Sequence, residues 1–117
     1  MAKNIIFENG DQLAVAVTDP ATPAAGDPVV VGQLPGVALT AEGADGLTTI
    51  KTTGVATLSV KAIDGSGNSA VAAGDILYYI SGDTPKLSKK NTGVRFGYAL
   101  EGISSGSTAT IKVKIGY

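Results

Sequence analysis

The closing segment TATIKVKI alternates: Ile111, Val113 and Ile115 fall on one side, Lys112 and Lys114 on the other. Successive side chains of a strand point to opposite faces, so the pattern predicts a strand with one dry face and one wet face. Leu58, Val60 and Ala62 oppose Ser59 and Lys61 in the same way, and Leu13-Ala14-Val15-Ala16-Val17 is a further alternating stretch. The apolar runs Val29–Val31 and Ile76–Ile80 read as additional strands. One buried and one solvated face per strand predicts an all-β fold, either a small antiparallel barrel or a sandwich. The one helical candidate is Ser69–Ala73, at most about a single turn, too short to be stable alone.

These elements occur twice. Ala25-Gly26-Asp27 precedes one apolar run and Ala73-Gly74-Asp75 the other. Gly36-Val37-Ala38-Leu39 leads through a Gly-rich turn to Thr49-Ile50-Lys51, and Gly97-Tyr98-Ala99-Leu100 leads likewise to Thr110-Ile111-Lys112. Gly36 and Gly97 sit inside strand patterns, which predicts bulges or close backbone approach. A single domain, 1–117, is expected: an N-terminal arm 1–10, a first β unit 11–54 and a second β unit 55–117. The second unit carries an insertion at 81–94 that reads as an enlarged hairpin tip. Two copies are too few for a solenoid, so the units are expected to close one shared core.

Composition narrows the chemistry. The chain has no cysteine and no histidine. Disulfides, the usual zinc, copper and haem ligands, and Ser-His or Cys-His nucleophile pairs are therefore excluded. Sixteen glycines and only six aromatic residues suit short strands and tight turns. Net charge is −1, and the densest cationic group, Lys89, Lys90 and Arg95, reads as a solvated loop, so no nucleic-acid partner is expected. The opening MAKNIIFENGDQ lacks the form of a secretory signal, and no run approaches the ~18 apolar residues of a membrane span. A protein made in the cytoplasm, with no membrane partner, is the expectation.

Four candidate sites stand against simpler explanations. Asp64, Ser66, Asn68 and Asp75 occupy positions 1, 3, 5 and 12 of a calcium loop, but Ser69 stands where glycine is required. A Gly/Asn turn capped by its own Asp explains Asp64 better. Asp27 and Asp75 hold equivalent repeat positions, as a carboxylate pair might in a glycosidase, yet an Asp that tightens a turn accounts for both. The Gly-rich turn Glu42–Gly46 has no Gly-Lys-Ser/Thr and opens no helix, so it is not a phosphate loop. Tyr78, Tyr79, Phe96 and Tyr98 suit core and cross-strand packing better than a base-stacking platform. No active site, metal or cofactor is expected.

The opening Lys3-Asn4-Ile5-Ile6-Phe7-Glu8 is apolar, β-prone and without counterpart in the second unit. Such a strand completes its own sheet or adds to the edge of a partner. Loops 19–25 and 40–47, small and nearly uncharged, suit contact with a neighbouring subunit.

The stretches MAKN-x-x-F-E-N-G-D, AGDPVVVGQLPGVAL, DGSGNSAVAAGDILYY, LSKKNTGVRFGYAL and TATIKVKI together resemble a family of phage and prophage proteins over nearly the whole chain. These are capsid cement or head decoration proteins, formerly labelled a RecA/RadA-like domain of unknown function. The resemblance implies a small β protein, with a β-tulip as a third form beside barrel and sandwich, working as a homotrimer on the outer surface of the virion. There it binds the major capsid protein of an expanded head and resists the pressure of packaged DNA. It also implies that Lys3, Asn4, Ile5, Ile6 and Phe7 order on the shell by β-addition. The recombinase label finds no support, since neither a phosphate loop nor a basic groove is present. Other virion accessories (tail or fibre) and a carbohydrate-binding or hydrolytic β domain are the alternatives, and the lack of Trp counts against a sugar platform.

Overall fold

The computed structural model describes residues 12–116 and contains strands and turns but no helix among them. Strands β1 (Gln12–Val15), β2 (Pro28–Val31), β3 (Leu34–Ala38) and β4 (Thr48–Lys51) form an antiparallel sheet in the order β1-β4-β3-β2. After Gly54 come β5 (Val55–Lys61), the two-residue strands β6 (Ile63–Asp64) and β7 (Gly67–Asn68), which pair as a small hairpin, and β8 (Ile76–Tyr79). β9 (Leu87–Ser88), β10 (Val94–Ala99) and β11 (Thr108–Ile115) follow. A closed barrel results, in the order β10-β11-β5-β9-β8. The all-β expectation holds, and the choice between barrel and sandwich resolves into a five-stranded barrel with a sheet beside it.

The repeat is visible in the hydrogen bonds. Gly26 N–H donates to Ala38 O at 2.7 Å, and Gly74 N–H donates to Ala99 O at 2.7 Å. Ala38 N–H returns to Asp27 O and Ala99 N–H to Asp75 O, both at 2.9 Å. Both turns need a glycine with positive φ, 90° at Gly26 and 95° at Gly74, a conformation that costs other residues strain. Each Ala-Gly-Asp turn is thereby tied to the Gly-x-Ala-Leu strand of its own half.

Four details depart from the sequence reading. The matched Thr-Ile-Lys phrases are not in matched register: Ala38 pairs with Ile50, whereas Ala99 pairs with Val113, two residues beyond Ile111. Residues 81–94 are more than a hairpin tip, because Leu87 and Ser88 return as fully buried β9, pairing parallel with β5 and antiparallel with β8. Ser69–Ala73 is not helical. Val71 exchanges backbone bonds with Ile103 at 3.0 and 2.9 Å and both side chains are buried, a gain that five isolated residues cannot match by nucleating a helix.

The core also divides in two. Val17, Val29, Ala38 and Ile50 cluster inside the sheet, with Leu13, Val15 and Val31 against them. The larger cluster fills the barrel and includes Leu58, Val60, Leu77, Leu87, Phe96, Val113 and Ile115. Val30 and Val37 belong to this second cluster, so one face of the sheet is buried against the barrel. Alternation explains the split: Val29 and Val30 point to opposite faces of β2.

Both strand glycines lie where a side chain meets backbone. A Cβ at Gly97 would overlap the Lys114 carbonyl, next to a β-bulge between Arg95 and Gly97; at Gly36 it would stand 3.0 Å from the Lys51 carbonyl and from Ile50 Cδ1. Gly97→Ala is expected to destabilise by about 3 kcal/mol and Gly36→Ala by about 1 kcal/mol, because a methyl group would overlap the carbonyl at the first site and only crowd its neighbours at the second. Urea denaturation midpoints of the two variants check this, and equal losses would contradict it.

Candidate functional site

The carboxylates singled out by sequence serve their own turns. Asp27 Oδ2 accepts the Ala24 N–H at 2.9 Å and Asp75 Oδ2 accepts the Ala72 N–H at 2.8 Å. Lys89 Nζ sits 3.3 Å from Asp75 and also donates to Ala70 O. The Ala72 N–H, and behind it Lys89, hold the Asp75 carboxyl below its ordinary value against an opposing effect of burial. Asp64 Oδ1 accepts the Ser66 N–H at 2.8 Å, so it caps the β6–β7 hairpin. No cluster of three Asp, Glu, His or Cys residues fit to hold a metal occurs among the described residues.

The aromatic set separates by role. Tyr79 and Phe96 are buried in the barrel core, whereas Tyr78 and Tyr98 are half-buried. Tyr98 lies between two cations: its hydroxyl accepts from Arg95 Nη2 at 2.6 Å, and Lys114 Nζ lies 5.9 Å from its ring centroid. Tyr79 reaches out of the barrel, and its hydroxyl donates to Asp19 Oδ1 at 2.9 Å across 60 residues of sequence. Burial, then the hydrogen bond to Asp19, pushes the Tyr79 hydroxyl above its ordinary value of 10.0.

A cleft of about 270 Å³ marks the same junction, with Pro20, Asp27 and Pro28 on one side and Ser59, Asp83, Thr84, Pro85 and Lys86 on the other. Its walls are proline-rich and its charged groups are of both signs. A second groove of about 320 Å³ runs between Leu34, Pro35, Thr52 and Thr53 of the sheet half and Lys114, Ile115 and Gly116 of the barrel. Both are open surface grooves framed by strands and the loops that join them.

Compared with protein families, residues 7–115 match the family model described as phage cement protein. The chain belongs to the phage cement protein family. No curated protein and no solved structure matches it. The family is a structural one. Lys3, Asn4, Ile5, Ile6 and Phe7, the residues expected to engage the capsid, lie outside the described residues.

Sequence reasoning missed two features of this cement-family chain. One is the Tyr79–Asp19 bond, which no local spacing announces. The other is a separation of charge. Residues 12–54 carry Lys51 against Asp19, Asp27, Glu42 and Asp45, whereas residues 55–116 carry seven cations against Asp64, Asp75, Asp83 and Glu101. Counting charge by halves reveals what the near-zero total conceals.

The Tyr79–Asp19 bond has a measurable signature. Tyr79→Phe is expected to cost about 1 to 2 kcal/mol at neutral pH, since Asp19 loses a donor in a partly buried place. A folded-state pKa raised above the unfolded value stabilises fully below the unfolded pKa and loses that contribution as pH rises toward the folded one. The wild type should therefore lose stability above pH 10 more steeply than Tyr79→Phe, so that the difference between them narrows. Denaturation of both proteins across about pH 7 to about pH 11 measures the gap; a constant gap would refute the assignment.

Proposed function

We propose that the protein is a non-enzymatic cement that binds the outer surface of a tailed-phage head and stabilises the shell. The major capsid protein is its partner, the homotrimer its working form, and the virion its location. The family match over residues 7–115 is the observation that carries this reading. Three structural features support it. The fold is tied by short turns and a closed barrel, which suits a part that must resist strain. The candidate carboxylates are engaged in turns. Shallow grooves line the junction of the two halves, where another protein can seat. Many copies, each holding a modest interface, would together give a large gain in shell stability.

Lys3, Asn4, Ile5, Ile6 and Phe7 are the proposed anchor, pairing as an added strand with an exposed edge on the capsid. Co-sedimentation with compact and expanded shells of the cognate phage, using full-length protein and protein lacking residues 1–8, tests both claims. Saturable binding to expanded shells, lost on truncation, is the expected outcome. Binding that survives truncation would remove the anchor and keep the cement role. Failure to bind either shell would overturn the cement role itself.

A further inference from the structure

The outer face of the barrel carries a row of side chains set by strand register. Val55 of β5 pairs with Lys114 of β11, Lys114 with Tyr98 of β10, and Tyr98 with Ile76 of β8. In the next row Thr57 pairs with Lys112, whose carbonyl accepts the Leu100 N–H at 2.9 Å. Val55 is 56% exposed and Leu100 42%. Neither Lys112 nor Lys114 forms an ion pair among the described residues, although Glu101 lies close enough to Lys112 to accept its backbone N–H at 3.2 Å. Arg95 and Lys114 are both steered onto the Tyr98 ring, at 5.5 and 5.9 Å. Two exposed aliphatic anchors beside a tyrosine, with cations around them, is the composition of a protein interface that prefers an acidic partner.

The complement lies on the same chain. Loop 39–47 exposes Leu39 (40%) and Leu47 (38%), and between them stand Glu42 and Asp45 with no cation. It is held in shape before any contact: Gly43 N–H donates to Leu47 O at 2.9 Å, and Asp45 Oδ1 accepts the Leu47 N–H at 3.0 Å. A loop already ordered loses little entropy on docking. Apolar anchors occur on both surfaces, and their charges are opposite.

We propose that the Val55–Lys114–Tyr98 face of one copy docks loop 39–47 of a second copy, so that copies associate head to tail. Contact between two different patches generates a closed ring when the rotation closes, as a trimer requires. The inference rests on the homotrimer reading above and supplies its interface. Opposed charge would orient the approach, and the leucines and Val55 would be covered on contact.

Analytical ultracentrifugation of the full chain at low and high salt tests this without any capsid. The wild type should self-associate at low salt and weaken as salt screens the contact. Lys112→Glu with Lys114→Glu should weaken association by about tenfold or more, since like charges then face each other. Adding Glu42→Lys and Asp45→Asn to that pair, which keeps an acceptor for the Leu47 N–H, should restore association. The rescue also shows that the first variant was folded. A monomeric wild type, an unaffected Lys double variant, or failure of the compensated variant to recover would each overturn the proposal. Co-sedimentation of the same variants with expanded shells separates the two ideas. Shell binding without charge-dependent self-association leaves the cement role standing and removes this interface; charge-dependent self-association without shell binding does the reverse.

Discussion

Each half of this protein depends on one small set of backbone hydrogen bonds, which joins an Ala-Gly-Asp turn to a Gly-x-Ala-Leu strand. The glycine takes a positive φ and donates to the strand's alanine carbonyl, and the alanine N–H returns to the aspartate carbonyl. The aspartate carboxylate closes the turn by accepting the N–H three residues before it. The distances in the two halves differ by no more than 0.1 Å. Fixing this junction fixes the register of β3 on β2 and of β10 on β8. A slip of one residue would turn every apolar side chain of the strand to the wrong face, so the core of each half follows from the junction.

The halves part company in how they close. In the barrel, β9 fills the space between β5 and β8, and Leu87 faces Val60 on one side and Tyr79 on the other. In the sheet the chain beyond β1 curls across instead, and Asp19 makes a lone bridge to Val30. Among the described residues the sheet therefore encloses four buried core residues and the barrel cluster fifteen, two of which, Val30 and Val37, come from the sheet itself. So few enclosed side chains supply little hydrophobic stabilisation against the entropy of ordering about forty residues. The sheet is held by leaning on the barrel, and the Tyr79–Asp19 bond stitches the two where the apolar contact ends. The doubled phrase thus describes two related frames of which one supports the other.

Much of this was readable from the chain, and the misses have physical causes. Alternation in 58–62 and 111–115 named the strands and their dry faces, and the two Ala-Gly-Asp turns named the repeat. The shift of Ile50 onto Val113 escaped because a displacement of two residues leaves every side chain on its proper face, so hydrophobic pattern cannot see it. β9 escaped because a two-residue strand has no period, and Leu87 is the one aliphatic side chain between Ser81 and Thr92. Ser69–Ala73, the one marginal helical candidate, did not form a turn of helix because Val71 found a partner, Ile103, that lies far along the chain. Family membership was legible because it rests on extended runs of particular residues, whereas the carboxylates offered as sites are explained by turns the repeat demands.

The surface follows a different logic from the core. Two identical copies of a β unit would present the same patch twice, and a patch repeated on one chain gives no direction to assembly. Here the equivalent leucines of the two Gly-x-Ala-Leu phrases, Leu39 and Leu100, are both exposed, but their surroundings have opposite charge. Glu42 and Asp45 follow the first, while Lys112 and Lys114 lie beside the second. Repeated apolar anchors with divergent charge would convert a repeated surface into the complementary pair proposed above. In the proposed head-to-tail contact, a net charge of opposite sign at the two ends would discourage like ends from meeting and draw unlike ends together over about a Debye length before the leucines touch. A chain of this kind can be donor and acceptor at once, which a small protein needs if it is to meet copies of itself while its other surfaces meet a shell.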